Sequence, residues 1–214
     1  MSASSILGRA AGRAARPLLP LKPSSTAFLV CDIQERFRDH IWNYPHVIST
    51  ATKMLDAATL LDIPVIVTEQ NPKALGKTVH ELDVSKAHVF AKTKFSMYVP
   101  EVQALLEKLT GPRAAVLFGI ESHVCVMQTA LELLDNDYHV IVLADGVSSM
   151  NRGEVTIALA RLRAAGATVA TSESILFQLM GDAANEKFRD LSKLVKKHQQ
   201  TSKSALDALV SSNL

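Results

Sequence analysis

Three apolar runs of this chain end in residues that can do chemistry together: Phe28-Leu29-Val30-Cys31-Asp32, Val89-Phe90-Ala91-Lys92, and Val116-Leu117-Phe118-Gly119-Ile120-Glu121-Ser122-His123-Val124-Cys125. A carboxylate, an ammonium and a thiol gathered at one edge of a parallel sheet make a nucleophilic cysteine with its own base and its own counter-charge. Cys125 opens the helical pattern Val126-Thr129-Ala130-Leu133-Leu134. Backbone N–H groups at a helix start are unpaired and favour an anion, so a thiolate is stabilised there. The same N–H groups can bind the oxyanion that forms when sulfur attacks a carbonyl, a contribution of about 3 kcal/mol per donor. Asp32 can remove the thiol proton and later activate water, while Lys92 holds negative charge. Each residue alone has a plainer reading: a packed cysteine, a turn aspartate, a solvated lysine. Their shared place at three strand ends is what makes a site.

The elements that must position them alternate. Short β-rich runs lie at Ala27–Cys31, Val65–Thr68, His88–Ala91, Ala114–Phe118, Val140–Ala144 and Thr168–Thr171. Helical spacing recurs in Val47-Ile48-Ala51-Met54-Leu55-Ala58-Leu61, in Val102-Leu105-Leu106-Leu109 and in Val155-Ala158-Leu159-Leu162-Ala165, the last stopped by Gly166. Strand–helix–strand repetition predicts an α/β fold, a three-layer αβα sandwich on a mostly parallel six-stranded sheet. Ligands of such sheets bind beyond the carboxyl ends of the strands, where Asp32, Lys92 and Cys125 fall. The first strand runs into Asp32-Ile33-Gln34-Glu35 without glycine, which disfavours a dinucleotide fold. Cys31 is expected to point away from Asp32, as a core thiol.

A length of 214 residues suits one folded domain. Apolar runs fall short of the roughly 20 residues that span a bilayer, and a formal charge of +2 argues against a nucleic-acid partner. Two cysteines cannot build a disulfide framework, so free thiols in a reducing compartment are expected. Residues 1–24 carry Arg9, Arg13, Arg16 and Lys22 but no acid. Wound as a helix, the three arginines share one side, a composition that reads as a mitochondrial transit peptide, with a cytoplasmic chain as the alternative. Residues 25–197 form the folded domain, ending in a helix at Ala183–Lys197, and the polar residues 198–214 read as a frayed tail.

The residues around the trio resemble the isochorismatase-like (cysteine hydrolase) superfamily, whose catalytic trio is Asp, Lys and Cys. The matching segments are Phe28-Leu29-Val30-Cys31-Asp32-Ile33-Gln34, Ala91-Lys92-Thr93-Lys94-Phe95-Ser96-Met97 and Gly119-Ile120-Glu121-Ser122-His123-Val124-Cys125-Val126. Thr68-Glu69-Gln70-Asn71-Pro72 is similar to a branch of isochorismatase-domain-containing proteins. The residues leave Lys94 open as the charged partner; the Lys-x-x-Phe-Ser pattern of the family points to Lys92. The resemblance implies a cis peptide at Ile120–Glu121 and an oxyanion hole made by the Glu121 and Cys125 amides. Gln34, Phe37 and Gln70 are candidate substrate contacts, with Trp42 and Tyr98 as further candidate pocket walls; aromatics there also suit the core. Metal-dependent relatives carry Asp-x-His where this chain has Glu69-Gln70-Asn71, so neither a metal nor a cofactor is expected. The resemblance thus implies a hydrolase of a small amide, imide or carbamoyl C–N bond working through a thioester, acting as a homo-oligomeric dimer or tetramer. The alternative is a catalytically silent metabolite-binding or scaffold protein on the same fold.

Overall fold

The computed structural model describes residues 21–111 and 113–211; the basic segment, residues 1–24, lies almost wholly outside them. The sheet consists of β1 (Thr26–Cys31), β2 (Val65–Gln70), β3 (His88–Lys92), β4 (Ala114–Ile120), β5 (His139–Ser148) and β6 (Thr168–Ala170). Its order is β3-β2-β1-β4-β5-β6, and every pairing is parallel. The chain therefore winds outward in both directions from the β1/β4 junction. That reversal opens the crevice where ligands of doubly wound sheets bind.

Alternation along the strands divides the core in two. Phe28, Val30, Val116 and Phe118 face one layer with α1 (Tyr44–Leu61) and α6 (Ser172–Met180). Ala27, Leu29, Cys31, Ala115 and Leu117 face the other, with α3 (Pro100–Leu106), α4 (Cys125–Asp135) and α5 (Arg152–Ala164). Between β2 and β3 lies only the single turn α2 (Pro72–Leu75). The central strands are apolar throughout because helices cover both faces.

At the β1/β4 junction Gly119 pairs with Cys31 at φ +123, and a Cβ there would stand 2.1 Å from the Cys31 carbonyl oxygen. Only glycine fits this approach.

The C-terminal residues depart from the expected frayed tail. After α7 (Phe188–Lys197), α8 (Gln199–Ala205) and a π-turn at Leu206–Val210 continue the chain, with Ser202, Ala205 and Leu209 buried. Small residues let this segment lie close on α1. The buried Lys53 of α1 donates to Ser202 Oγ at 2.7 Å, and Asn43 Nδ2 donates to the Ala208 carbonyl at 3.1 Å. The tail's polarity disguised a docking face whose partner is itself a buried polar group.

Burial holds the Lys53 pKa below the ordinary 10.5, against the opposing pull of Asp145 and Glu173. Between that lowered value and 10.5 the unfolded chain binds more protons than the folded one, so this residue makes stability rise with pH across the window. Lys53→Met is expected to be more stable than the wild type at pH 7 by about 1 kcal/mol. In urea unfolding the advantage should shrink as the pH approaches 10.5; a constant gap would contradict the assignment. Gly119→Ala is expected to cost at least about 3 kcal/mol, read as a fall in Tm of more than about 6 °C.

Candidate active site

Asp32 leaves β1 with φ +50, a left-handed conformation that aspartate tolerates better than most residues. Its carboxylate is held from two sides. Thr68 Oγ1, on the neighbouring strand, donates to Oδ1 at 2.8 Å, and Lys92 Nζ donates to Oδ2 at 2.7 Å. Lys92 lies on β3, with β2 between it and β1, roughly 10 Å away at ordinary strand spacing, and its long stem crosses that gap. All three ammonium hydrogens are used, the other acceptors being Gln70 Oε1 at 2.7 Å and the Phe95 carbonyl at 2.9 Å. Gln70 is the register partner of Lys92 and also donates to the Thr93 carbonyl at 2.8 Å. Asp32 and Lys92 are 1% and 5% exposed.

Lys94 is elsewhere. It bonds Glu132 of α4 at 2.6 Å and the Tyr98 carbonyl at 3.2 Å, so Lys92 and not Lys94 meets Asp32. The lysine loop is tied to α4, the helix that Cys125 begins, at a second point: Met97 N donates to Thr129 Oγ1 at 2.8 Å, and Thr129 Oγ1 donates to the Cys125 carbonyl at 2.6 Å.

Cys125 begins α4 and is 7% exposed. The peptide Ile120–Glu121 is cis, at the bond the resemblance indicated. Within the following turn the amides of Val124 and Val126 both donate to the Glu121 carbonyl at 3.1 Å, skipping Cys125. Among the described residues, neither the Cys125 amide nor the Glu121 amide has a protein acceptor, leaving two donors for an oxyanion. The loop is laced to the end of β5 residue by residue. Glu121 Oε2 accepts from Met150 N at 2.8 Å, Ser122 N donates to the Ser148 carbonyl at 2.8 Å, and His123 Nδ1 lies 3.0 Å from Ser149 Oγ. Ser148 Oγ in turn bonds the Trp42 carbonyl, and Trp42 N donates to the Ser149 carbonyl at 3.0 Å. His123 thus has a protein partner and braces the loop.

Three expectations need correction or refinement. Gln34, expected to contact substrate, is fully buried and its amide is committed to the loop after β2. Its Nε2 donates to the carbonyls of Gln70 (3.0 Å) and Gly76 (2.7 Å), and its Oε1 accepts from Gln70 N at 2.7 Å. Phe37 is half-buried against the α1 core layer, and Tyr98 packs edge-on to Tyr138 at 6.1 Å. Cys31 is not a remote core thiol. It lies 3.8 Å from Asp32 Oδ2, and Cys125 is near enough to act on its thiol. Simple alternation failed because Asp32 turns out of the extended conformation. The face that Cys31 occupies is also the one on which α4 packs. Burial, the Cys125 contact and the Asp32 charge together push the Cys31 thiol well above its usual pKa.

Glu69 is buried and accepts from Thr78 N (2.9 Å), Thr78 Oγ1 (3.0 Å) and Lys77 Nζ (3.1 Å). It fastens the loop after β2. A cluster of Glu35, His80 and Glu81 brings ligand atoms within 4.8 Å of one another at the surface, but the Arg38 guanidinium is bonded to both carboxylates there.

The isochorismatase domain model matches residues 26–174, across every element named above from β1 into α6. The chain belongs to the isochorismatase family. It is 48% identical over 177 residues to isochorismatase domain-containing protein 1 of Salmo salar, covering 82% of this chain and 62% of that one. It therefore spans less than two thirds of the length of that relative. Isochorismatase domain-containing protein 2 of Xenopus laevis is 46% identical over 171 residues, 80% of this chain and 83% of that protein. A solved structure titled MAR1 ribonuclease from Caenorhabditis elegans superimposes with a TM-score of 0.79 at 40% identity, covering 83% of this chain and 93% of that one. Membership of the isochorismatase family supports a hydrolase.

The two lysines separate by environment. Lys92→Met should cost about 3–5 kcal/mol in urea unfolding, because it leaves a buried carboxylate without its counter-ion. Lys94→Met should cost less than about 1 kcal/mol, since its ion pair is solvent-exposed; equal costs would reverse the assignment.

Proposed function

We propose that this isochorismatase-family chain hydrolyses a small amide, imide or carbamoyl C–N bond through a thioester on Cys125. The observation that carries the reading is the buried Asp32–Lys92 pair at the carboxyl edge of the sheet, the edge at which β4 leads into Cys125 and two uncommitted amides. Cys125 Sγ attacks the carbonyl carbon while Asp32 takes the thiol proton, and the new oxyanion accepts from the Glu121 and Cys125 amides. Asp32 returns the proton to the leaving nitrogen, and ammonia or an amine departs. Water, deprotonated by Asp32, then attacks the thioester and releases the acid and the thiol. Lys92 anchors Asp32 and supplies fixed positive charge beside it. Gln70 acts through Lys92, which makes it a positioning residue. Burial of the trio favours a small substrate.

The acid-free basic stretch of residues 1–24 supports a mitochondrial address, which imaging of a fluorescent fusion would test. Strand-length RNA does not suit the chemistry: the trio is 1–7% exposed and a formal charge of +2 offers little attraction for phosphates.

A panel of small amides, ureides and carbamoyl compounds, followed by intact-mass detection, should trap an acyl adduct on Cys125. Once a substrate is in hand, Cys125→Ala and Asp32→Asn should each lower kcat/KM by about a thousandfold or more. Wild-type turnover in Cys125→Ala would sink the mechanism, and binding without turnover across the panel would favour the silent-scaffold reading. A labelled RNA should stay intact under the same conditions.

A further inference from the structure

The chain has two cysteines, both are free, and the fold brings them together. Cys31 sits on the last residue of β1 and Cys125 on the first of α4, in one core layer. The Cys125 side chain is near enough to act on the Cys31 thiol, adding to burial in raising its pKa. Exposure is unequal: Cys125 is 7% accessible and Cys31 is 0%, so a small solute arriving from solvent reaches Cys125 first. The proposed hydrolysis assigns Cys31 no step, although it stands 3.8 Å from the carboxylate that would serve as base.

We propose that Cys31 and Cys125 form a reversible redox pair, in which hydrogen peroxide oxidises Cys125 and Cys31 resolves the product into an internal disulfide. In the first step Cys125 Sγ attacks one peroxide oxygen: an S–O bond forms, the O–O bond breaks, and the departing hydroxide leaves as water with the thiol proton. In the second, Cys31 Sγ attacks the sulfur of the Cys125 sulfenic acid: an S–S bond forms and the S–O bond breaks. The hydroxyl leaves as a second water, carrying the proton that Cys31 passes by way of Asp32 Oδ2. Two thiols are oxidised and one peroxide is reduced to two waters. The neighbouring thiol matters because a sulfenic acid without one is open to a second peroxide and the irreversible sulfinic state. A dithiol reductant reverses the bond. The site's nucleophile is thereby withdrawn and restored without damage, the transient use to which disulfides are put in reducing compartments. The pairing needs the two sulfurs within reach of each other and Cys125 the more accessible, and it stands whether or not the site hydrolyses amides.

The test uses the full reduced chain, a few equivalents of hydrogen peroxide, and intact mass under denaturing, non-reducing conditions. The monomer is expected to lose about 2 Da and both maleimide-reactive thiols, with full recovery in dithiothreitol. Because the chain has two cysteines, such a loss within a monomer identifies the bond. Cys31→Ser should instead gain about 32 Da at Cys125, unrecovered by dithiothreitol. If that variant fails to fold, a non-reducing peptide map of the oxidised wild type should still show the Cys31 and Cys125 peptides linked. Sulfinic acid on the wild type without the 2 Da loss would overturn the proposal, as would a disulfide between copies in place of the internal one.

Discussion

The ion pair between Lys92 and Asp32, nearly sealed from water, is the constraint around which this molecule is arranged. Removing both charges from solvent costs several kcal/mol per ion, and their attraction offsets that only with close geometry and every remaining hydrogen bond made. The surrounding structure makes them. Thr68 takes the other carboxylate oxygen, and Gln70 and the Phe95 carbonyl take the other ammonium hydrogens. Two of these partners lie on β2 and the third in the loop after β3, so sheet register and that loop must be correct at once. Gln34 and Glu69 hold the loop after β2 in place. The first grips the backbone at Gln70 and Gly76, and the second grips Thr78.

A second set of bonds fixes the loop and helix that carry Cys125. The loop before Cys125 is stitched to Ser148, Ser149 and Met150 on one side, and α4 is tied to the lysine loop through Thr129 and Lys94 on the other. Amides left free at Glu121 and Cys125 are therefore held in place before any substrate arrives, which is the condition under which such donors contribute most. Gly119 is part of the same design. It lets β4 approach the Cys31 backbone closely at the end of β1.

Much of this was legible from the chain alone. Strand–helix alternation predicts the αβα layers, and the apolar runs ending in Asp32, Lys92 and Cys125 mark the candidate site, because parallel strands share one carboxyl edge. The roles of Gln34 and Gln70 were not legible. An amide side chain reads alike whether it meets a ligand, a loop backbone or a lysine, and only its neighbours distinguish the three. The C-terminal helix was missed for a related reason: its docking face is built from Ser202, Ala205 and Leu209 around a buried lysine, and too few apolar residues mark it.

The sequence by itself determined the layer architecture and the strand ends at which Asp32, Lys92 and Cys125 fall, because periodicity and residue chemistry are local properties. Tertiary structure decided the rest. It chose Lys92 over Lys94 by burying one and leaving the other on the surface, and it made Gln34 a clamp. It also set Cys31 against Cys125, because a single left-handed residue, Asp32, ends the alternation on which the opposite expectation relied. That last juxtaposition depends on which face α4 covers, and a handed crossover settles this in space, where no run of neighbouring residues records it.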